Sequence, residues 1–240
     1  MKLSVIIPAF NEERLIGDTL RSINDGLEFI KQRGWETELI VCDNNSTDRT
    51  GEIARAAGAT VVFEPVNQIA RARNCGAHAA TGDWLLFVDA DSHPSRGLLG
   101  EMMEQILSGQ CLAGGSTVKL DGDDATARRI SKFWNWISRR WRLLAGSFIF
   151  CEAAAFRAVG GFSNELYVAE ELDLSKKLKR LARKQGKRLA ILHKHPLVTS
   201  ARKVHLYSLR EHLGFMVRAV LVPGTMRKRE ACFPWYDGRR

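Results

Sequence analysis

Four short apolar runs separated by stretches of helical spacing constrain this chain more than any other feature. The runs are Leu3–Pro8, Glu38–Val41, Thr60–Phe63 and Trp84–Val88. They are rich in Val, Ile and Leu with little polar alternation, as parallel strands covered on both faces are. Leu15, Ile16, Leu20, Ile23, Leu27 and Ile30 predict a helix from Glu12 to about Gly34. A second is expected over Thr50–Ala57, capped by Ser46 or Thr47 and closed by Gly58, and a third over Ile69–Ala80. Strand and helix in this alternation build βαβ units around a mainly parallel sheet.

The second half reads less regularly. Gly114-Gly115 and Asp121–Asp124 are expected as turns, Ala125–Leu144 as a helix and Phe148–Phe156 as a strand. Glu170–Lys184 follows as a helix, Arg188–Leu192 as a strand and Leu206–Val220 as a helix. No Pro-, Gly- or Ser-rich linker divides the chain. The expectation is therefore one domain over 1–240: a nucleotide-binding half (1–120), an acceptor and catalytic half (121–205) and a basic helical C-terminal extension (206–240).

Composition excludes several classes. At 240 residues, 45% apolar and 26% charged, the chain can bury a sizeable core without disulfides or a structural metal. Its five cysteines are scattered and form no CxxC pair, which fits a reducing compartment. No apolar run approaches the roughly 20 residues of a membrane span, and the N-terminus does not read as a secretory signal. A cytoplasmic location is expected, with room for peripheral contact at the inner face of a membrane. The net charge of +9 is uneven: residues 1–120 carry −5 and residues 121–240 carry +14. Such a division suggests different partners for the two halves.

Ligands of open parallel sheets bind beyond the carboxyl ends of the strands. Three of the first four strands end there in polar clusters: Pro8-Ala9-Phe10-Asn11-Glu12, Asp43-Asn44-Asn45-Ser46-Thr47-Asp48 and Asp89-Ala90-Asp91-Ser92. One such cluster is ordinary turn chemistry; three on one edge point to a polar site. Neither GxGxxG after the first strand nor GxxxxGK[ST] occurs, so the usual phosphate-cradling glycine loops are absent. Asp89 and Asp91 supply an alternative, because two carboxylates at a strand end suit Mg²⁺ or Mn²⁺, and such an ion bridges a diphosphate.

In order, SVIIPAFNEE, CDNNSTDRT, LLFVDADS and GGF…AEELDLSKKL resemble the family 2 glycosyltransferases of the GT-A fold. The resemblance covers roughly residues 3–182. It implies an α/β, Rossmann-like sheet flanked by helices and a metal-dependent, inverting transfer of a sugar from a nucleoside-diphosphate-sugar to an acceptor hydroxyl. It implies that Pro8, Ala9, Asn11 and Glu12 line the nucleoside pocket and that Asp43 accepts hydrogen bonds from the base. Asp89 then faces the ribose or metal side, and Asp91 is the principal metal ligand. Family members commonly show Glu-Asp at a helix start, the Asp being the base; here Glu170-Glu171 stands in that place. Glu171 takes the base position, with Asp173 its rival, and the plain alternative is acids favoured by a helix N-terminus.

Other residues admit two readings. Arg71 and Arg73 either assist at the diphosphate or are solvated helix charges. His205 is a candidate third metal ligand; a solvated or packed histidine is the plainer reading. Gly160-Gly161 permits close approach, to packing neighbours or to the donor sugar. Ile130, Phe133, Trp134, Ile137, Trp141 and Leu144 fall on one helical stripe among arginines, with Trp136 outside it, which suits either a core-facing or a membrane-interfacial helix. The second choice favours a lipid-linked or cell-envelope glycan acceptor. Nucleic acid is not an expected partner. The rival functions are a sugar nucleotidyltransferase and a non-catalytic anionic-surface binding protein on the same scaffold.

Overall fold

The computed structural model describes residues 1–121, 125–200 and 224–232, without the side chains at 125–127 and 130. The expected helix over Leu206–Val220, His205 and residues 233–240 lie outside the described residues.

The chain alternates as the apolar runs predict: β1 (Lys2–Ala9), α1 (Ile16–Lys31), β2 (Glu36–Asp43), α2 (Thr50–Ala56), β3 (Thr60–Phe63), α3 (Ile69–Ala79) and β4 (Trp84–Val88). There follow β5 (Ser92–His93), α4 (Arg96–Leu107), β6 (Cys111–Leu120), α5 (Ala125–Trp141), β7 (Phe148–Glu152), α6 (Ala153–Ala158), α7 (Glu170–Lys184) and β8 (Arg188–Thr199). The strands form one sheet in the order β3-β2-β1-β4-β7-β6-β8-β5. β1 to β4 are mutually parallel; β7 runs antiparallel to both β4 and β6, while β6 and β8 are parallel.

Alternation along β1 explains the two-sided cover. Leu3, Val5 and Ile7 pack with α1 and α4 on one face, and Ile6 packs with α3 and α7 on the other. The sheet is thus covered on both faces, as its unbroken apolar strands require.

Several expectations need correction. Helix α1 starts at Ile16 rather than Glu12, whose carbonyl receives the Leu15 and Ile16 N–H groups. Neither Ser46 nor Thr47 caps α2; the Asp48 carboxylate accepts the Thr50 N–H at 3.0 Å instead. Gly114-Gly115 is strand, not turn. A Cβ at Gly114 would stand 2.3 Å from Phe150 Cζ, so glycine lets an aromatic ring cross the strand. The expected strand Phe148–Phe156 ends at Glu152 and turns into α6. β8 runs on to Thr199, fastened to α4 by Glu101, whose carboxylate accepts the N–H groups of His193 at 3.0 Å and His195 at 3.3 Å.

The stripe expected around α5 divides. Leu144 is buried beyond the helix end, whereas Phe133 and Trp141 are 64% and 50% exposed, so they do not face the core. Among the described side chains of α5, the buried ones are polar, while Trp134 and Ile137 are half-buried. Ser131 and Ser138 are buried, and Asn135 exchanges two hydrogen bonds with the backbone of Val118, at 2.9 and 2.8 Å. The cause lies in β6: β7 pairs with it only over Ala113–Gly115, and a side-chain amide satisfies the backbone edge left beyond.

Candidate active site

The carboxyl ends of β1, β2 and β4 lie side by side, because Ala9 is in register with Asp43 and Ile6 with Phe87. Pro8 and Ala9 are buried at the end of β1, and the Ala9 carbonyl accepts the Asn44 N–H at 2.8 Å. Asn11 adopts a left-handed backbone (φ 51°), which asparagine tolerates better than most residues. Its N–H donates to Ser46 Oγ at 3.0 Å and its Oδ1 accepts the Thr47 N–H at 2.7 Å, so it ties the first strand-end loop to the second. The Glu12 N–H donates to Thr50 Oγ1 at 2.7 Å. Asp43 Oδ1 accepts the Ser46 N–H at 2.9 Å, and a Cβ at Gly51 would stand 2.9 Å from Oδ2, so α2 packs against the carboxylate closely.

Two side chains with no expected role carry this edge toward α7. Asn44 donates to the carbonyls of Glu64 (3.1 Å) and Val66 (2.7 Å) and accepts from Gln68 N (2.9 Å). Gln68, itself buried, donates to the carbonyls of Asn164 and Leu166, both at 2.9 Å. Arg71 is half-buried and donates to Gln68 Oε1 at 3.2 Å.

Arg73 forms the centre of the arrangement. It is 1% exposed, which excludes the solvated-charge reading. One terminal nitrogen donates to Glu170 at 2.6 Å; the other donates to Asp89 at 2.9 Å and to the Gly146 carbonyl at 3.0 Å. The Phe162 ring lies beneath the guanidinium, 5.2 Å from its carbon. The planar fork thus links the end of β4, the loop before β7 and the first turn of α7, which an ammonium on a flexible stem cannot do. Gly161, at φ 65°, packs against Asn74 and Phe156 and precedes the buried Phe162, so it serves packing neighbours, whereas a Cβ at Gly160 would meet nothing within 4 Å.

Electrostatics follow from burial. Burial pushes the Glu170 carboxyl above the ordinary range, and the Arg73 charge beside it opposes that shift. Burial, then the neighbouring Glu170 charge, pushes Glu171 up to about 8, again against Arg73. Burial works to lower the Arg73 pKa, but Asp89 and Glu170 outweigh it and hold the guanidinium charged. Three carboxylates therefore share the field of one guanidinium. Asp173 pairs with Lys177 at 2.8 Å on the helix flank.

Asp91 lies past the end of β4. Its Oδ1 is 3.4 Å from Thr199 Oγ1, and its carbonyl accepts the Ser200 N–H at 3.2 Å, which joins it to the end of β8. Among the described residues, no three His, Cys, Asp or Glu side chains gather into a metal site. One or two hard carboxylates are what a Mg²⁺-like ion takes from a protein when substrate phosphates and water complete its shell. Asp91 and Asp89 are carboxylates of that kind, just past the end of β4. His193 and His195 belong to the junction of α4 and β8, away from this edge.

The family model described as Glycosyl transferase family 2 matches residues 4–158. An uncharacterized glycosyltransferase of Mycobacterium bovis is 29% identical over 147 residues, 59% of either protein; the chain thus spans about three fifths of the length of the first curated relatives it matches. Among solved structures, Staphylococcus aureus TarS 1–349 in complex with UDP-GlcNAc is similar at a TM-score of 0.65 and 21% identity, over 95% of this chain and 68% of that one. The mannosyltransferase PcManGT of Pyrobaculum calidifontis, in complex with GDP-Man and Mn²⁺, is similar at a TM-score of 0.65 and 22% identity, over 98% and 67%. The fold is that of GT-A glycosyltransferases.

Proposed function

The chain belongs to glycosyl transferase family 2, and from that premise we propose that it transfers a sugar, with inversion, from a nucleoside-diphosphate-sugar to an acceptor hydroxyl. The observation that carries this reading is the buried Arg73 fork, which binds Asp89 at the donor end of the sheet to Glu170 beside the candidate base. The two ends of one reaction are thereby held in fixed relation, and positioning of that kind accounts for a large share of catalytic rate.

Donor and cation belong to the β-strand ends. Pro8, Ala9, Asn11, Glu12 and Asp43 surround the nucleoside, with Asp43 as acceptor for the base. Asp91, with Asp89, would hold Mg²⁺ or Mn²⁺, and such an ion would supply positive charge at the diphosphate leaving group. PcManGT was solved with GDP-Man and Mn²⁺, which supports a donor and ion of this kind. His205 remains the proposed further ligand. Glu171 accepts the proton of the acceptor hydroxyl. Its pKa, raised to about 8, means that the ionised form able to take this proton grows as the pH rises toward 8, so transfer is expected to increase over that range. Arg73 acts on Asp89 and Glu170 as a positioning residue. The acceptor is proposed to be lipid-linked or a cell-envelope glycan precursor.

Glu171→Gln tests the assignment. The expected variant binds the nucleoside diphosphate as the wild type does and transfers no sugar, while Asp173→Asn, which breaks only the ion pair with Lys177, retains transfer. Survival of transfer in Glu171→Gln together with its loss in Asp173→Asn would assign the base to Asp173.

A further inference from the structure

We propose that the outward face of α5 and the basic cavity beside it form a docking surface for an anionic phospholipid bilayer. The first observation is the inverted helix: its serines and Asn135 face the sheet, and Phe133, Trp136 and Trp141 stand 64%, 58% and 50% exposed. These rings form one cluster. Phe133 stacks on Trp136 at 6.3 Å between centroids, and Trp136 meets Trp141 edge-on at 5.5 Å. Arg128, Arg129, Lys132, Arg139 and Arg140 are exposed on the same helix. Tryptophan beside arginine on one helix face is the arrangement that settles at the boundary of headgroups and acyl chains.

The second observation is independent of the helix face. A cavity of about 430 Å³ opens where α5, α7 and β8 meet, lined by Arg140, Trp141, Arg142, Lys179, Arg183 and Arg188. No carboxylate is among its described lining residues. A second cavity of about 300 Å³ shares Arg142 and Arg188 and adds Arg139 and Lys194, with Glu101 as its one acidic lining residue among those described. The cations are crowded: burial, then Arg183, Arg142 and Lys176, lowers the Lys179 pKa, while its ammonium bonds the Trp141 carbonyl. So much unpaired positive charge in a concavity attracts phosphate. Trp141 belongs to both features, so the aromatic wedge and the phosphate cavity are continuous.

Placement gives the surface a use. The segment after α5 reaches Gly146, whose carbonyl accepts from Arg73, and Leu144 N donates to Ser175 Oγ of α7 at 3.1 Å. A bilayer held by α5 would therefore lie along elements that lead directly to the candidate base. This inference does not rest on the donor chemistry proposed above, and its test does not use it.

The full chain is mixed with vesicles of phosphatidylcholine containing one quarter phosphatidylglycerol, and with pure phosphatidylcholine vesicles, at about 100 mM NaCl. Expected are co-sedimentation with the anionic vesicles, at least about tenfold weaker binding to the neutral ones, and a blue shift of tryptophan emission. The double variant Trp136→Ser/Trp141→Ser is expected to lose the blue shift and about tenfold in binding, with an unchanged far-UV spectrum. Arg140→Glu/Arg183→Glu is expected to abolish the preference for anionic vesicles. Equal binding to both vesicles, or none to either, would overturn the proposal. So would binding of a single-stranded RNA, or of inorganic phosphate alone, by a chain that ignores the vesicles.

Discussion

Arg73 shows how far a single residue type can be read from sequence. It follows Ala70 by three positions and precedes Gly76 and Ala77 by three and four, so it lies on the buried face of α3 among small residues. That spacing was visible, but its meaning was not, because a buried cation is exceptional without partners and these come from Asp89 and Glu170, the latter 97 positions away. Removing the guanidinium leaves a buried carboxylate unpaired. Arg73→Met is expected to destabilise the fold by about 3–5 kcal/mol, and adding Glu170→Gln to recover much of that loss, measured by denaturant unfolding.

Glu171 has a pH signature of its own. Its folded pKa of about 8 lies above the ordinary carboxyl value of about 4.5 expected for the unfolded chain. Between those values the native state holds a proton that the unfolded state has released, so stability falls as pH rises from about 4.5 to about 8. The whole change is on the order of a few kcal/mol. Glu171→Gln removes this linkage. The variant is expected to gain stability over wild type at pH about 8 and to show no such gain at pH about 4.5. A difference in melting temperature that is the same at both values would contradict the raised pKa of Glu171.

At the scale of elements, the first half was legible because parallel strands covered on both faces leave continuous apolar runs that stop abruptly at the ligand edge. The polar strand ends were legible as well, yet Asn11 and Ser46 turned out to hold the loops to one another, which their chemistry allows equally. α4 was missed although Leu98, Leu99, Met102, Met103 and Ile106 have helical spacing. β6 was hidden by its own glycines, and the second part of β8 by Pro196 among polar residues. Gly114 in β6 answers to Phe150, 36 positions further on, a dependence that no local pattern carries. Gly114→Ala is accordingly expected to cost about 1–3 kcal/mol, because the new methyl would also lie 2.6 Å from the Ala190 carbonyl. An unchanged unfolding midpoint would refute that packing.

For the whole molecule, the charge is uneven: residues 1–120 carry −5 and residues 121–240 carry +14. Asp89 from the first half and Glu170 from the second meet at Arg73, and cations of α5 and α7 line a separate cavity. Among the described residues, no helix is long and apolar enough to cross a membrane. The sequence showed the charge imbalance and the aromatic stripe, but not which side of α5 faces the sheet. That choice depends on Asn135 meeting the free edge at Val118, a contact fixed only by the tertiary fold.

The central claim is that Asp91, with Asp89, seats a divalent cation against a donor diphosphate. Thermal unfolding with UDP or GDP, each with Mn²⁺ and with a chelator, tests it most directly, since a ligand at one hundred times its Kd adds about 2.7 kcal/mol to the stability of the form it binds. One of the two nucleotides is expected to raise the melting temperature only when Mn²⁺ is present, and to lose that effect in Asp91→Ala while the unliganded variant still unfolds cooperatively. Equal stabilisation with the chelator, or full stabilisation of Asp91→Ala, would contradict the account.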